Sequence, residues 1–434
     1  MSARPRIGFA EGTALYVGAV LGPGALVLPA MAVREAGPAA VAVWTALIVV
    51  SVPVALSFAM LGRAFPDSGG VASYVRRAFG DVAATATGWC FCLALPIGVF
   101  GGAVIGGRYA AEVLGGGAAA GVVVAVGLLA AAFIANWSGL RVTTGAQLVL
   151  VGLTATLLVT IAVVNVPSVE PERFTPFLPH GWSGLASASA LLCFAFTGWE
   201  AVSHLSEDFR SPRTRLVPVT VLALAIVAVL YLGLAVTTTG VLGDSAATSP
   251  VPVMALLEHA IGSVARPVTA VAAVVLSLGA VNTYIAGGAR LIGSLARAGA
   301  LPGWAGVAAP HGTPRRGLLI LAVATALAGV VSVLVQADLD GLLLLTSVCL
   351  VAVTGAGTAA AAVLLSGTGR AAAGFATVCL AVVTATGGVL VLLPVATLVV
   401  AVLLHRWRGV VTLARGPGPR SAVTVGTLSE ECAP

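Results

Sequence analysis

Apolar residues run through this chain in stretches of about twenty, separated by short clusters of arginine, glycine and proline. A helix needs about 20 apolar residues to cross the hydrocarbon core of a bilayer. Twelve such stretches can be marked, at roughly 9–33, 39–62, 84–111, 118–138, 142–166, 185–206, 216–240, 266–290, 317–336, 341–366, 371–386 and 388–405. A membrane β-barrel would instead alternate polar and apolar positions in segments of about ten residues, and runs such as Leu216–Thr239 do not alternate. Helices satisfy their own backbone groups in lipid. The pattern therefore predicts an all-α integral membrane protein with about 12 transmembrane helices. The last two stretches are short and meet at Gly387-Gly388, so they read either as two crossings or as one re-entrant pair. Residues 406–434 are rich in Gly, Pro, Ser and Arg and read as a disordered tail.

Composition strengthens this picture. Of 434 residues, 59% are hydrophobic and 9% charged, against roughly 25% charged in a soluble domain. Mean hydropathy is +1.07. The net charge of +6 is carried by arginine alone, because the chain contains no lysine. With the N-terminus placed in the cytoplasm and the spans alternating, only Arg34, Arg108, Arg173 and Arg266 face outward, and the other arginines all face inward. That asymmetry follows the positive-inside rule, gives an even number of spans, and puts both termini inside. It also explains the basic balance without a nucleic-acid partner. Arg4 and Arg6 before an apolar stretch imitate a signal peptide, but Glu11 and the Gly22-Pro23-Gly24 break inside that stretch argue for a first span instead. Five cysteines (Cys90, Cys92, Cys193, Cys349, Cys379) lie inside apolar runs and read as packing residues, so neither a disulfide framework nor a metal site is expected.

Two interruptions divide the chain into halves. Gly22-Pro23-Gly24 breaks span 1, and Thr197-Gly198-Trp199 interrupts span 6, five spans later. The two spans start on opposite sides, so the halves are inverted in the membrane. The expected organisation is a cytoplasmic N-terminus (1–8), a first repeat (9–166, spans 1–5), a second repeat (185–366, spans 6–10), two short extra helices (371–405) and the tail. Paired discontinuous helices at corresponding positions point to the binding site of a secondary transporter. Glycine and proline also merely kink membrane helices; the matched positions favour the functional reading.

A break frees backbone groups. The amides of Gly24, Ala25 and Leu26 at the start of the continuing half-helix suit a carboxylate, since Pro23 has no N–H. The carbonyls of Phe194, Ala195 and Thr197 suit an ammonium group. Val20, Gly22, Pro23, Gly24, Ala25, Phe194, Ala195, Thr197, Gly198 and Asn282 are accordingly the expected substrate-binding residues. Glu200 and His204, one turn apart in span 6, read as a protonation-dependent gate or as a fixed polar latch. Cys90, Leu93 and Ile97 in span 3 and Ser277 and Thr283 in span 8 are candidate pocket walls. Tyr284, Thr346, Ser347 and Thr354 are further polar positions in spans 8 and 10. Each of these polar side chains serves equally as an interhelical contact. No span carries an Asp, Lys or central Arg to match a charged substrate side chain, which favours a neutral substrate. Motifs for phosphate binding, metal hydrolysis and acyl transfer are missing. Gly115-Gly116-Gly117 follows no strand, so no enzymatic activity and no cofactor is expected.

These motifs carry a resemblance. Gly22-Pro23-Gly24-Ala25-Leu26-Val27-Leu28-Pro29 resembles the broken first helix of the amino acid–polyamine–organocation transporters. The segment from Phe65-Pro66-Asp67-Ser68-Gly69-Gly70 to Ala78-Phe79-Gly80 resembles the loop between their second and third helices. Phe194-Ala195-Phe196-Thr197-Gly198-Trp199-Glu200, with Pro212, Arg213 and Pro218, resembles their sixth helix and its exit. Ala289-Arg290, Gly299-Ala300-Leu301-Pro302 and Thr313-Pro314 resemble the loop after the eighth. The matches follow the family's order over about residues 10–316, and the overall pattern is most similar to the amino acid efflux branch. The resemblance implies a five-plus-five inverted repeat with two added helices, and a carboxylate site at Pro23 and Gly24. It also implies an aromatic gate at Phe194 and a pH-responsive carboxyl at Glu200. Pro23 departs from the usual serine, and the helix 5 lysine of some proton-coupled relatives has no counterpart. The expectation is alternating-access transport of small neutral, aliphatic amino acids across the cytoplasmic membrane, with export favoured. Uptake or amine exchange is the alternative, and a membrane-embedded sensor or a channel the more distant ones. A coupling proton, the lipid bilayer and a second copy in a homodimer complete the expected partners.

Overall fold

The structure, a computed structural model, describes residues 7–66, 70–139, 144–200, 209, 212–306 and 314–414. It is helical throughout these residues, apart from an isolated bridge between Ile7 and Phe209. In chain order the helices are α1 (Phe9–Val20), α2 (Leu28–Ala36), α3 (Ala40–Ala64), α4 (Gly70–Phe79), α5 (Asp81–Leu114), α6 (Gly117–Trp137), α7 (Thr144–Asn165) and α8 (Gly181–Leu192). There follow α9 (Pro212–Thr237), α10 (Asp244–Thr248), α11 (Pro252–Ile261), α12 (Ala265–Arg297), α13 (Arg315–Leu334), α14 (Leu339–Leu364), α15 (Gly367–Thr386) and α16 (Leu392–Ala414).

Ten helices among the described residues are long and apolar enough to cross a membrane. They correspond to spans 2–5 and 7–12. Spans 1 and 6 fall short of the length because they are the broken ones: α1 and α8 stop after 12 residues each. Of the two readings open for the terminal stretch, the structure has two separate helices, each long enough to cross.

The order of elements repeats. A broken helix is followed by a long one (α3, 25 residues; α9, 26), then by a ten-residue helix (α4; α11), then by the longest helix of its half (α5, 34; α12, 33). Two further spans close each half (α6 and α7; α13 and α14). The two ten-residue helices are too short to cross, and the spacing of apolar stretches did not reveal them.

Side-chain packing sorts the helices differently from the chain order. One buried cluster joins α5, α6, α12 and α13 through Leu95, Val99, Ala125, Leu128, Ile285, Leu318 and Leu321. A second, larger cluster joins α1, α2, α3, α8 and α9 through Val17, Leu28, Trp44, Leu192 and Leu234. Spans 3, 4, 8 and 9 thus share the smaller core, while the larger one, built around spans 1, 2, 6 and 7, also takes in side chains of spans 3, 5, 8, 10 and 11, among them Tyr109, Leu158, Leu276, Leu343 and Ala373.

Candidate functional site

The breaks have local causes. Pro23 cannot sit in a helix interior, because its ring opposes the carbonyl four residues earlier and it has no N–H to donate. Helix α1 ends at Val20, Gly22 is extended at φ −88° and ψ −178°, and a 3-10 turn over Pro23–Leu26 leads into α2. In span 6, α8 passes into a 3-10 turn at Cys193–Phe196, Thr197 is extended, and Gly198 takes φ +126°. Only glycine adopts that φ without strain.

The two breaks meet. A Cβ on Gly24 would stand 3.0 Å from the Phe194 ring, and one on Gly198 would strike the Ala19 carbonyl and lie 3.3 Å from Val20 Cα. Tyr231 of α9 ties them from behind. Its hydroxyl lies 2.9 Å from Val20 O and 3.1 Å from Ala195 O, so one proton is shared between a carbonyl from each break. The ring is held by Trp44 and Phe196, with centroids 4.8 and 5.5 Å away.

Between the breaks and the other core lies a cavity of about 420 Å3, counting its mouth. One wall is built from the breaks and α9: Ala19, Val20, Gly22, Pro23, Gly24, Ala25, Phe194, Ala195, Thr197 and Tyr231. The opposite wall is Gly98, Val99 and Gly102 of α5 with Ala280, Val281 and Tyr284 of α12. Both helices present residues i, i+1 and i+4, one helical face each. Gly102 lets α5 approach: a Cβ there would stand 3.4 Å from Pro23 and 3.5 Å from Val281. Among the described residues, no charged side chain lines the cavity.

Most of the expected substrate-binding residues are therefore brought together, and the rest are not. Gly198 packs behind the break rather than lining the cavity. Asn282 points away and accepts a 2.7 Å hydrogen bond from Asn136, joining α12 to α6. Thr283 is exposed and donates to Gly279 O, within its own helix. Ser277 is buried against Gly106. Cys90 donates to Cys349 O on α14 at 3.3 Å, Leu93 is an exposed residue, and Ile97 lies off the cavity face of α5. These corrections share one cause: each side chain lies outside the face that its helix turns to the cavity.

The free backbone groups are also fewer than expected. Ala25 N–H is taken by Gly22 O at 3.1 Å. Phe194 O accepts from the Thr197 hydroxyl at 2.8 Å, and Ala195 O from Tyr231. Gly24 N–H has no backbone acceptor among the described residues. Glu200 is buried, and both its oxygens accept from Gly198 N–H, at 3.1 and 3.0 Å. Thr354 of α14 lies 3.4 Å from Glu200 Oε2. His204 lies outside the described residues. Tyr231 was missed from the sequence, yet it carried a signal. A tyrosine midway along an apolar span must find a partner for its hydroxyl, and the freed carbonyls of a broken neighbour are available.

The comparisons agree with this construction. The model of the amino acid permease family matches residues 7–424. The chain belongs to the amino acid permease family. Bacillus subtilis YecA, an uncharacterized amino acid permease, is 32% identical over 334 residues, covering 77% of this chain and 79% of that protein. The Escherichia coli L-methionine/branched-chain amino acid exporter YjeH is 28% identical over 300 residues, 68% of this chain and 71% of its own. Among solved structures, MhsT in complex with L-phenylalanine superposes with a TM-score of 0.62 at 15% identity, over 89% of this chain and all of that one. The Eremococcus coleocola manganese transporter gives 0.60 at 13%, over 94% of each chain; at these identities the likeness concerns the fold. The permease is thus a multi-pass amino acid transporter of the five-plus-five inverted-repeat fold, and not an enzyme.

Proposed function

We propose that this permease moves small neutral, aliphatic amino acids by alternating access, in the direction of export from the cytoplasm. The observation that carries the reading is the uncharged cavity at the seam of the two cores, lined on one side by both broken helices. A substrate carboxylate would be held at Gly24 N–H, and its side chain would lie against Val99, Val281 and Phe194. With the breaks in one core and the facing wall in the other, rocking of the cores exposes the substrate first to one side and then to the other. Export rather than uptake is favoured by the likeness to YjeH. Uptake is the second reading, because the Bacillus subtilis branched-chain amino acid permease BcaP is 26% identical over 336 residues.

Both termini are proposed to be cytoplasmic. Three of the four arginines assigned outside are matched by acids: Arg34 pairs with Asp340, Arg173 with Glu170, and Arg266 with Glu112. Glu200 is proposed to change protonation between inward- and outward-open states, which couples transport to protons. Counterflow of labelled amino acids in proteoliposomes, under imposed proton and sodium gradients, tests the substrate and the coupling together. A preference for cationic or anionic amino acids sinks the substrate assignment. Glu200→Gln should flatten the pH dependence while leaving affinity within about threefold, roughly 0.65 kcal/mol. An unchanged pH profile reduces Glu200 to a structural group, and lost binding moves its carboxylate into the substrate pocket.

A further inference from the structure

A second cavity, of about 330 Å3, lies on the other side of the helix 6 break. Its walls come from α3, α14, α15 and the break itself, and Thr197 lines both cavities. We propose that this second cavity is a hydrated antechamber that delivers protons to Glu200 and removes them, separately from the substrate cavity. The proposal rests on the reading that Glu200 is the coupling carboxyl, and adds the path by which it titrates.

Three observations support it. Glu200 lines neither cavity, and its partner Thr354 lines the second one and not the first, so Thr354 is the link between that cavity and the carboxyl. The lining is largely apolar but contains three hydroxyls, Ser51, Thr197 and Thr354. Ser51 donates to Leu47 O at 2.8 Å and Thr197 to Phe194 O at 2.8 Å, while the Thr354 hydroxyl lies within donor reach of both Leu350 O, at 2.9 Å, and Glu200 Oε2, at 3.4 Å. Their oxygens therefore remain as acceptors. Buried water stays ordered where it finds two to four polar partners, and one water occupies about 30 Å3. The three hydroxyl oxygens supply such partners, and the space left free between the walls admits about one water.

The transfer is a simple exchange. A hydronium ion in the cavity gives one proton to the Thr354 hydroxyl oxygen and becomes water, while that hydroxyl passes its own proton to the carboxylate and Glu200 becomes a carboxylic acid. No electron moves, and the reverse step returns the proton. Thr354 suits both states, because a hydroxyl accepts from the protonated acid and can turn to donate to the carboxylate. Among the described residues, Tyr284 of α12 faces Glu200 from the substrate side and Cys193 opens on the second cavity. The stretches of α3, α14 and α15 that line it bring no charged side chain.

Thr354→Val removes the relay oxygen at nearly constant shape, and Thr354→Ser keeps it. In proteoliposomes with a proton gradient, Thr354→Val should slow transport about tenfold or more, since a positioned proton-transfer group is worth at least that. Equilibrium substrate affinity should stay within threefold, and Thr354→Ser should restore the rate. Ser51→Ala is the second variant, with a severalfold loss expected even if Thr354→Val does not fold. Wild-type rates and pH profiles in both variants overturn the route. Loss of substrate binding in a folded Thr354→Val overturns it as well, by assigning Thr354 to the substrate site. Wild-type protein indifferent to protons overturns the coupling role of Glu200 and this route together. A pH-dependent wild type matched by Thr354→Val overturns this route alone.

Discussion

Three glycines at the breaks make a graded test, because alanine adds the same methyl to three different surroundings. At Gly198 the methyl meets backbone: it strikes the Ala19 carbonyl, with Ala19 C 2.8 Å away, and φ is +126°. A non-glycine residue held in such a conformation costs about 1–3 kcal/mol. Overpacking against atoms that cannot swing aside adds about 1–3 kcal/mol. Gly198→Ala should therefore destabilise the contact between the breaks by roughly 2–6 kcal/mol. At Gly24 the methyl would touch side chains only, at 3.0 Å from Leu28 and from the Phe194 ring. The ring can shift, so stability should fall by about 1 kcal/mol or less. Its amide would be crowded, however, and substrate affinity should fall. At Gly22 nothing lies within 4 Å of the added carbon. Gly22→Ala should fold like wild type and weaken binding only by narrowing the cavity. Thermal unfolding of the purified proteins, measured beside substrate affinity, separates these outcomes. A Gly198→Ala protein with wild-type unfolding temperature and affinity would refute the reasoning, as would a Gly22→Ala protein less stable than Gly198→Ala.

Tyr231→Phe leaves Val20 O and Ala195 O without their shared donor, and unpaired buried carbonyls cost about 1–3 kcal/mol; thermal unfolding should register the loss, and an unchanged unfolding temperature would show that water replaces the hydroxyl. Cysteine-accessibility labelling should find the segment around Glu170 outside and that around Arg315 inside, and the opposite result at either position overturns the orientation. Arg173 holds the Glu170 carboxyl below its ordinary value through hydrogen bonds of 2.7 and 3.1 Å. A depressed carboxyl stabilises the fold above its unfolded value, about 4.3, and the contribution is lost as pH falls through the folded value. The pair is exposed, so the acid-side loss should be small; Arg173→Gln should reduce the fall in unfolding temperature below that pH, and a steeper fall would contradict the assignment.

The spans were legible because lipid imposes one length and one composition on every crossing helix. The breaks were legible because Gly-Pro-Gly and Thr-Gly interrupt otherwise continuous apolar runs. What the residues did not disclose is which face of each helix meets the cavity. Polar side chains were the natural guides, and in this fold they mislead. Thr283, Thr346 and Thr354 donate to carbonyls four residues earlier in their own helices. Asn282 and Ser347 bond to neighbouring helices. In a bilayer an unpaired hydroxyl is costly, so its nearest carbonyl captures it. The cavity face of α5 is instead Gly98, Val99 and Gly102, residues whose contribution is their small size. Such positions have no chemical signature until the partner helix is known.

The helix 1 break also constrains how tightly this permease can hold its substrate. Pro23 offers no amide, and Ala25 N–H is engaged by Gly22 O inside the 3-10 turn. Of the donors expected there, Gly24 N–H is the one with no backbone acceptor among the described residues. A hydrogen bond to a charged group contributes about 1.5–3 kcal/mol, so each lost donor weakens carboxylate binding roughly ten- to a hundredfold. At the helix 6 break Phe194 O and Ala195 O each accept one hydrogen bond, from Thr197 and Tyr231, and keep one lone pair for a ligand. A site with so few free polar groups must draw its selectivity from the apolar walls, and those accommodate an aliphatic side chain. Weak capture of the shared amino acid backbone handicaps a transporter that scavenges dilute substrate. It is no handicap to one that removes an abundant solute, where a KM at or above the working concentration keeps flux responsive. The reduced donor set and the apolar cavity thus favour the same reading: export of neutral amino acids when their concentration inside is high.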